Sequence, residues 1–252
     1  MGRKYRAVFA IVLLLGLAAA PATAVRAMPP EVARGRVVAA EEGGVLRLDD
    51  GRRVRLALLE DGPALRAATA PLAEGAEVAL HWPEHRRDRH GRLVAHVVRA
   101  DGLWVQEALV GAGAARVMTF ADERAEAAAL LAAEDAARRA GRGLWADPAT
   151  APLAAADVAA VAAARGRPVL VEGVVAGAAV VRGRLYLNFG ADWRSDVTVS
   201  IAATALKTFP AAARAPEHWR GARVRARGWV RSYNGPLLEI DHPEALERLS
   251  GN

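Results

Sequence analysis

The chain has 252 residues, with 34 Lys and Arg against 28 Asp and Glu, and a formal net charge of +6. Three of the basic residues lie at the very N-terminus, so the rest of the chain carries about +3. That bias is too weak to indicate a nucleic-acid partner by itself. The absence of cysteine excludes disulfide bonds and thiolate metal sites. A chain of this length has room for two small domains.

The N-terminus has the pattern of a secretory signal peptide. A basic stretch at residues 3–6 precedes an apolar run at residues 7–20, and residues 22–24 are small, as a signal peptidase requires. We therefore expect a signal peptide over residues 1–24, with cleavage after Ala27 as the alternative, and a periplasmic or secreted protein. An uncleaved N-terminal anchor is the other reading, although a membrane span takes about 20 apolar residues. Charges interrupt every later apolar run.

Residues 33–147 are predicted to form the first domain. Short stretches in which apolar and polar residues alternate predict five strands. They lie at 35–40, 45–48, 53–58, 77–80 and 93–98. Helical patterns follow over 103–110 and 122–139, while Pro71 and Gly75 predict a short, broken connection before the fourth strand. Strands followed by helices indicate a mainly β, α+β fold, in which helices pack beside a five-stranded OB-type barrel.

Residues 148–166 read as a linker with a short helix, and residues 167–246 as a second β domain. Asp157 is placed to cap the linker helix and Gly166 to end it. Five further strands are predicted, with a short helix at 203–209 after the third. They lie at 169–175, 184–189, 196–201, 224–230 and 237–240. This order predicts a second OB-like barrel.

Four stretches of the first domain occur in the order typical of one protein family. They are Asp50-Gly51-Arg52-Arg53-Val54-Arg55-Leu56, the D-x-x-G-R turn at 88–92, the helix with Glu107-Ala108-Leu109-Val110, and Gly143-Leu144-Trp145. Together they resemble the thermonuclease (staphylococcal nuclease-like) family over about residues 34–146. The resemblance implies hydrolysis of phosphodiester bonds with Ca²⁺. By position, Arg55 and Arg92 match the two arginines that neutralise the phosphate and the charge of the transition state. The alternative is that both are ordinary surface arginines.

The carboxylates of the family match poorly. Gly44 stands where the resemblance puts a metal-binding aspartate. Depending on the alignment, Pro63 or Ala64 stands where the family has its catalytic glutamate, so Glu60 and Asp61 are left as weak Ca²⁺ ligands. Loss of a general base costs about 10²–10⁴-fold in rate. We therefore predict an impaired or inactive nuclease homologue, unless nearby acids refill the site, for which Asp49, Asp50 and Glu74 are the candidates.

The second domain contains an alternating basic and aromatic stretch. Side chains two residues apart on a strand share a face. The predicted face carries Arg223, Arg225, Arg227, Trp229 and Arg231, and Trp193 with Arg194 adds a second aromatic and charge. OB barrels bind single strands with such a surface, which makes single-stranded DNA or RNA a candidate partner. The favoured interpretation is a solvated outer face with the aromatics packed in the core.

Four histidines lie in or near the loop after the fourth strand, namely His81, His85, His90 and His96. Solvated loop histidines are the favoured reading, and metal binding is the alternative. Three functions remain open at this point. The chain is a binding module for nucleic acid or other polyanions, a calcium-dependent nuclease with rearranged carboxylates, or an envelope protein that interacts with other proteins. The protein partner in the last case is unknown.

Overall fold

A computed structural model describes residues 28–62, 64–82 and 87–249 of the chain. The predicted signal peptide, together with Pro63 and His85, lies outside these residues. In the described part, no helix has the length and apolar character needed to cross a bilayer.

The first domain is a closed five-stranded barrel with three helices packed on it. Its strands are β1 (Glu31–Ala40), β2 (Leu46–Leu48), β3 (Arg53–Leu56), β4 (Glu77–His81) and β5 (Leu93–Arg99), and its helices are α1 (Leu65–Ala73), α2 (Val105–Gly111) and α3 (Ala127–Arg139). All five predicted strands are present. β1 closes the barrel because its first half pairs with β4 and its second half with β2, across a change in register. β3 and β5 pair in parallel.

The largest correction to the predicted elements is α1. The sequence was expected to form only a short connection here, because Pro71 and Gly75 break helices. The structure has a nine-residue helix, with Pro71 inside its last turn. Leu65, Thr69 and Ala73 are buried at a spacing of four, so one face of the helix packs on the barrel. The burial of this face offsets the loss of the backbone hydrogen bond that a proline cannot donate.

The predicted helix over 122–139 begins later than expected, at Ala127. Glu126 has a left-handed backbone with φ of +63°, which prevents the helix from continuing toward the N-terminus. Before the helix, Phe120 and Glu123 form a β-bridge across a tight turn, in which the Glu123 N–H donates to the Phe120 carbonyl at 2.9 Å. Both residues line the cleft described below.

The second domain is a curled sheet with its own hydrophobic core. Its elements are β6 (Leu153–Ala154), α4 (Val158–Ala163), β7 (Pro168–Val174), β8 (Gly177–Val181), β9 (Arg184–Asn188), β10 (Thr198–Ile201), α5 (Ala203–Leu206), β11 (Arg223–Ser232), β12 (Pro236–Ile240) and β13 (Leu246–Arg248). Asp157 accepts a hydrogen bond from the backbone N–H of Ala160 and so caps α4, as predicted. β6, β8 and β13 were not predicted.

The strand order of the second sheet repeats that of the first barrel. β7 and β8 follow each other closely in the chain but lie at opposite positions in the order β7-β11-β12-β10-β9-β8. They therefore correspond to the two halves of β1. β10 and β12 pair in parallel, as β3 and β5 do. Among the described strands this sheet curls into a half-barrel that is consistent with an OB-like fold, in place of the second barrel that the sequence predicted.

The two domains are joined by polar contacts that are largely buried. Arg227 on β11 donates to the Val117 carbonyl (2.8 Å) and to Glu134 on α3 (2.9 Å). Glu247 on β13 accepts a third hydrogen bond from Arg227 at 2.8 Å. His242 Nε2 lies 2.7 Å from the Thr119 hydroxyl. These contacts hold β11 of the second domain against the segment that follows α2 in the first.

Candidate functional site

Arg55 and Arg92 come together because β3 and β5 are parallel neighbours. Arg55 lies opposite Val94 in this pairing, and Arg92 precedes Val94 by two residues. Residues two apart on a strand point to the same side, so both guanidinium groups project to the same side of the sheet. Both side chains are mostly buried, with 12% and 16% of their surface exposed. A pair of ordinary surface arginines would be far more exposed.

Asp88 organises the turn that carries Arg92. Its Oδ1 accepts from the backbone N–H groups of His90 (2.8 Å) and Arg92 (3.0 Å), and its Oδ2 accepts from Arg92 Nε (2.6 Å). Gly91 has φ of +75° in this turn, a conformation that favours glycine. Burial raises the pKa of Asp88, but the hydrogen bonds from Arg92 and His90 outweigh it and hold the pKa below its ordinary value. Asp88 is thus a carboxylate that fixes the orientation of Arg92.

Glu123 is a site residue that the sequence did not reveal. Its side chain is buried, and its Oε1 accepts a hydrogen bond from Arg55 Nη2. Asp88 Oδ2 also lies 3.9 Å from Arg55 Nε. The contact between Arg55 and Glu123 spans 68 positions, so no local pattern indicates it. Each arginine therefore has a carboxylate that holds it in place.

These groups line a cleft of about 840 Å³, which is within the usual range for small-molecule sites. Both domains contribute to its wall, the second through Pro168 and Trp229. The first domain contributes a mixture of arginines, carboxylates, one histidine and apolar side chains. They are Arg55, Leu59, Glu60, Asp61, Arg87, Asp88, Arg89, His90, Arg92, Met118, Phe120, Asp122 and Glu123. The cleft therefore has both cations and exposed aromatic surface.

Glu60 and Asp61, the predicted Ca²⁺ ligands, both line this cleft. Glu60 is half-buried, and burial raises its pKa, an effect that the charge of Arg116 only partly opposes. Among the residues that the structure describes, no three His, Asp or Glu side chains are grouped so as to hold a metal ion. Asp49, Asp50 and Glu74 are not in the cleft: Asp49 and Glu74 accept backbone hydrogen bonds elsewhere, and Asp50 pairs with Arg52.

Replacing Glu60 with glutamine is expected to stabilise the protein slightly at neutral pH. Because the pKa of Glu60 is raised in the folded state, the wild type loses stability relative to the variant as pH rises through that pKa. The gain should stay below about 1 kcal/mol, since solvent still reaches part of the group. Urea unfolding at several pH values tests this, with Asp61→Asn at the exposed neighbouring position as the control. A gain that persists below about pH 3, where Glu60 is protonated in both the folded and the unfolded state, would contradict the assignment.

Gly44 cannot simply be regarded as a metal-binding aspartate that was lost. Its backbone is left-handed, with φ of +70°. A Cβ atom at this position would lie 2.6 Å from Leu65 Cγ, closer than real Cβ atoms approach a neighbour. Leu65 of α1 is buried there in the core of the barrel. The residues present therefore do not fit the calcium site that the resemblance implies.

The predicted basic face of β11 is wrong as a solvent-exposed surface. Arg225 and Arg227 are each only 4% exposed, because the first domain covers them. Arg225 pairs with Glu172 at 2.7 Å and Arg227 with Glu134 at 2.9 Å, so neither is available to phosphates. Arg223 and Arg231 are exposed but pair with Glu172 and Glu239, respectively.

The aromatic members of the predicted surface are separated. Trp229 is 52% exposed and lines the cleft with Arg55 and Arg92. Trp193 is 49% exposed, and the Arg194 guanidinium lies 4.4 Å from its ring centre. This pair is next to a different cavity, of about 470 Å³, which Trp193 lines together with Tyr186 and Tyr233. Of the residues predicted on β11 and its neighbours, only Trp229 joins the arginine pair.

Among the described residues the histidines do not form a group of three, although His81 and His96 lie opposite each other on β4 and β5. His81 Nδ1 lies 2.9 Å from the Pro29 carbonyl, and His90 lies in the Asp88 turn. His96 was expected among solvated loop histidines, but it is fully buried in β5, with its ring 5.2 Å from that of Trp82 and 5.3 Å from that of Trp104. It is part of the barrel core.

The first domain is thus an OB-type barrel with packed helices, and Arg55 and Arg92 line one cleft beside it. Residues 62–147 match the family model described as staphylococcal nuclease homologue, and no curated protein matches the chain. The chain therefore contains a staphylococcal nuclease homologue domain at residues 62–147, as the motifs predicted. The match begins after β3, so it includes Arg92 and not Arg55. Nucleases of this family use Ca²⁺.

Proposed function

We propose that the protein is a catalytically impaired member of the nuclease family that binds nucleic acid at this cleft. The observation that carries the proposal is a retained arginine pair beside a calcium site that the chain has filled. Arg55 and Arg92 are oriented by Glu123 and Asp88. Leu65 occupies the space near Gly44 where the family would place a metal ligand. A site that keeps its phosphate contacts and lacks its base and metal binds without efficient hydrolysis.

A second candidate function is a calcium nuclease whose carboxylates come from new positions. It is favoured by the number of acids that line the cleft, which include Asp88, Asp122 and Glu123 besides Glu60 and Asp61. Asp88 and Glu123 hold arginines, however, which leaves them poorly placed to bind a metal as well. The proposed location of the protein remains the periplasm or the exterior, and this rests on the signal-peptide pattern alone.

We expect the chain without its first 24 residues to bind single-stranded DNA or RNA and to show no calcium-dependent cleavage. The variant Arg55→Gln/Arg92→Gln should bind at least about tenfold more weakly, since hydrogen bonds to charged groups contribute about 1.5–3 kcal/mol each. Its salt dependence should also be shallower, by about 0.7 in log–log slope for each phosphate contact removed. Fluorescence anisotropy at several salt concentrations measures both quantities, and circular dichroism checks that the variant is folded.

Arg53→Ala is the matched control for this experiment. Arg53 lies on the same strand as Arg55 but is exposed and pairs with Glu41 at 2.6 Å, outside the cleft. It should bind like the wild type. Calcium-dependent cleavage that a chelator abolishes and that the double variant lacks would support the second candidate. If the chain shows neither binding nor cleavage, a role in protein interactions remains.

A further inference from the structure

We infer that the cleft is a nucleotide-sized site shared by both domains, in which Trp229 stacks on the base of a nucleotide whose phosphate is held by Arg55 and Arg92. This inference rests on the proposed function and adds a substrate class and a contribution from the second domain. In this arrangement the second domain is not a separate single-strand-binding module. It completes the site of the first.

The charge balance of the cleft favours one nucleotide over a long strand. Four arginines line it, but five carboxylates line it as well. Two of those carboxylates are committed to Arg55 and Arg92. A surface that binds an extended backbone needs an excess of cations along its length, which this cleft does not have. The binding free energy must therefore come from a local phosphate contact together with a contact to an uncharged part of the ligand.

Trp229 supplies that uncharged contribution. About half of its surface is exposed, whereas tryptophan side chains are highly buried on average. Phe120 of the first domain is 39% exposed and lines the same cleft. A base between an aromatic wall and an arginine-bound phosphate matches the way that proteins hold unpaired nucleotides. Because stacking needs an unpaired base, the site selects a single-stranded end or a free nucleotide.

The buried contacts of Arg227 fix the position of Trp229 relative to Phe120 on the other wall of the cleft. Arg227 precedes Trp229 by two residues on β11 and donates to the Val117 carbonyl. Val117 is followed by Met118 and Phe120, which line the cleft. One buried contact thus sets the position of Trp229 relative to Phe120. A preformed aromatic wall of this kind loses little conformational entropy on binding.

The test compares two probes of equal charge. One is a single-stranded oligonucleotide of about eight residues, and the other is an abasic oligonucleotide of the same length and phosphate number. Trp229→Ala should weaken binding of the first by about tenfold or more and leave the second nearly unchanged. Trp229→Phe should keep most of the affinity, because an aromatic ring remains. Trp193→Ala, at an equally exposed tryptophan away from the cleft, is the matched control and should bind like the wild type.

The outcomes separate this inference from the function on which it rests. If Arg55→Gln/Arg92→Gln weakens binding of both probes but Trp229→Ala does not change either, the shared site is wrong and phosphate binding stands. An equal loss for both probes on Trp229→Ala also overturns stacking, since the abasic probe has no base to lose. If the wild type binds neither probe, both proposals fail.

Discussion

Replacing Arg227 with methionine is expected to lower the free energy of unfolding by about 3–5 kcal/mol, the cost of breaking a buried ion pair by removing one partner. Glu134 is only 1% exposed, and its other oxygen accepts from the backbone N–H of Val117 at 2.7 Å. The carboxylate would therefore stay buried after its cation is gone. Although burial lowers the pKa of Arg227, the charges of Glu134 and Glu247 outweigh it and keep the arginine charged.

Arg231→Met is the control on the same strand. Its pair with Glu239 is 2.7 Å long, but the arginine side chain is 68% exposed, so its loss should cost less than about 1 kcal/mol. Adding Glu134→Gln to Arg227→Met should recover part of the lost stability, because the amide oxygen still accepts from Val117 and no lone charge remains. Urea unfolding of the four proteins measures these differences. Equal losses for Arg227→Met and Arg231→Met would mean that the buried cluster does not hold the domains together.

The buried contacts of Arg227 could not be predicted from the sequence. Side chains two residues apart on a strand share a face, which correctly indicates that Arg225, Arg227 and Trp229 lie together on β11. It carries no information about what covers that face. The covering partner of Arg227 is Glu134, which lies 93 positions earlier on α3 and has no pattern that links it to β11. Only the docking of two complete domains brings them together, so a surface predicted to bind phosphates is in part an interface.

The arginine pair could be predicted because local sequence determines the position of each arginine. The D-x-x-G-R turn is a local structure in which Asp88, Gly91 and Arg92 each have a defined place within five residues. The alternation of β3 places Arg55 on a definite face as well. Glu123 has neither kind of signal, because it lies in an irregular segment that follows α2. Pro71 misled the prediction, because intrinsic helix preference is overridden where a helix can bury one face.

Restoring the family's aspartate by Gly44→Asp is expected to destabilise the protein by about 2–4 kcal/mol and to create no calcium site. The new Cβ would overlap Leu65, and overpacking of a core costs about 1–3 kcal/mol. The left-handed backbone adds a cost of about 1–2 kcal/mol for a residue other than glycine. The carboxylate would also enter the barrel core, where nothing in the described residues is placed to balance its charge with a metal.

The variant Gly43→Asp separates the cost of overlap with Leu65 from the cost of the left-handed backbone. Gly43 is also left-handed, with φ of +67°, but the atom nearest to a new Cβ would be Asp61 Cγ at 3.5 Å, an ordinary contact. This variant therefore has a similar left-handed backbone cost and adds one charge, next to Asp61, without the overlap. Denaturant unfolding should place Gly43→Asp well above Gly44→Asp in stability, and Leu65→Ala should reduce the penalty at Gly44 by making room. If Gly44→Asp instead folds as well as Gly43→Asp and cleaves DNA with calcium, Leu65 does not block the site, and the chain is one substitution away from an active nuclease.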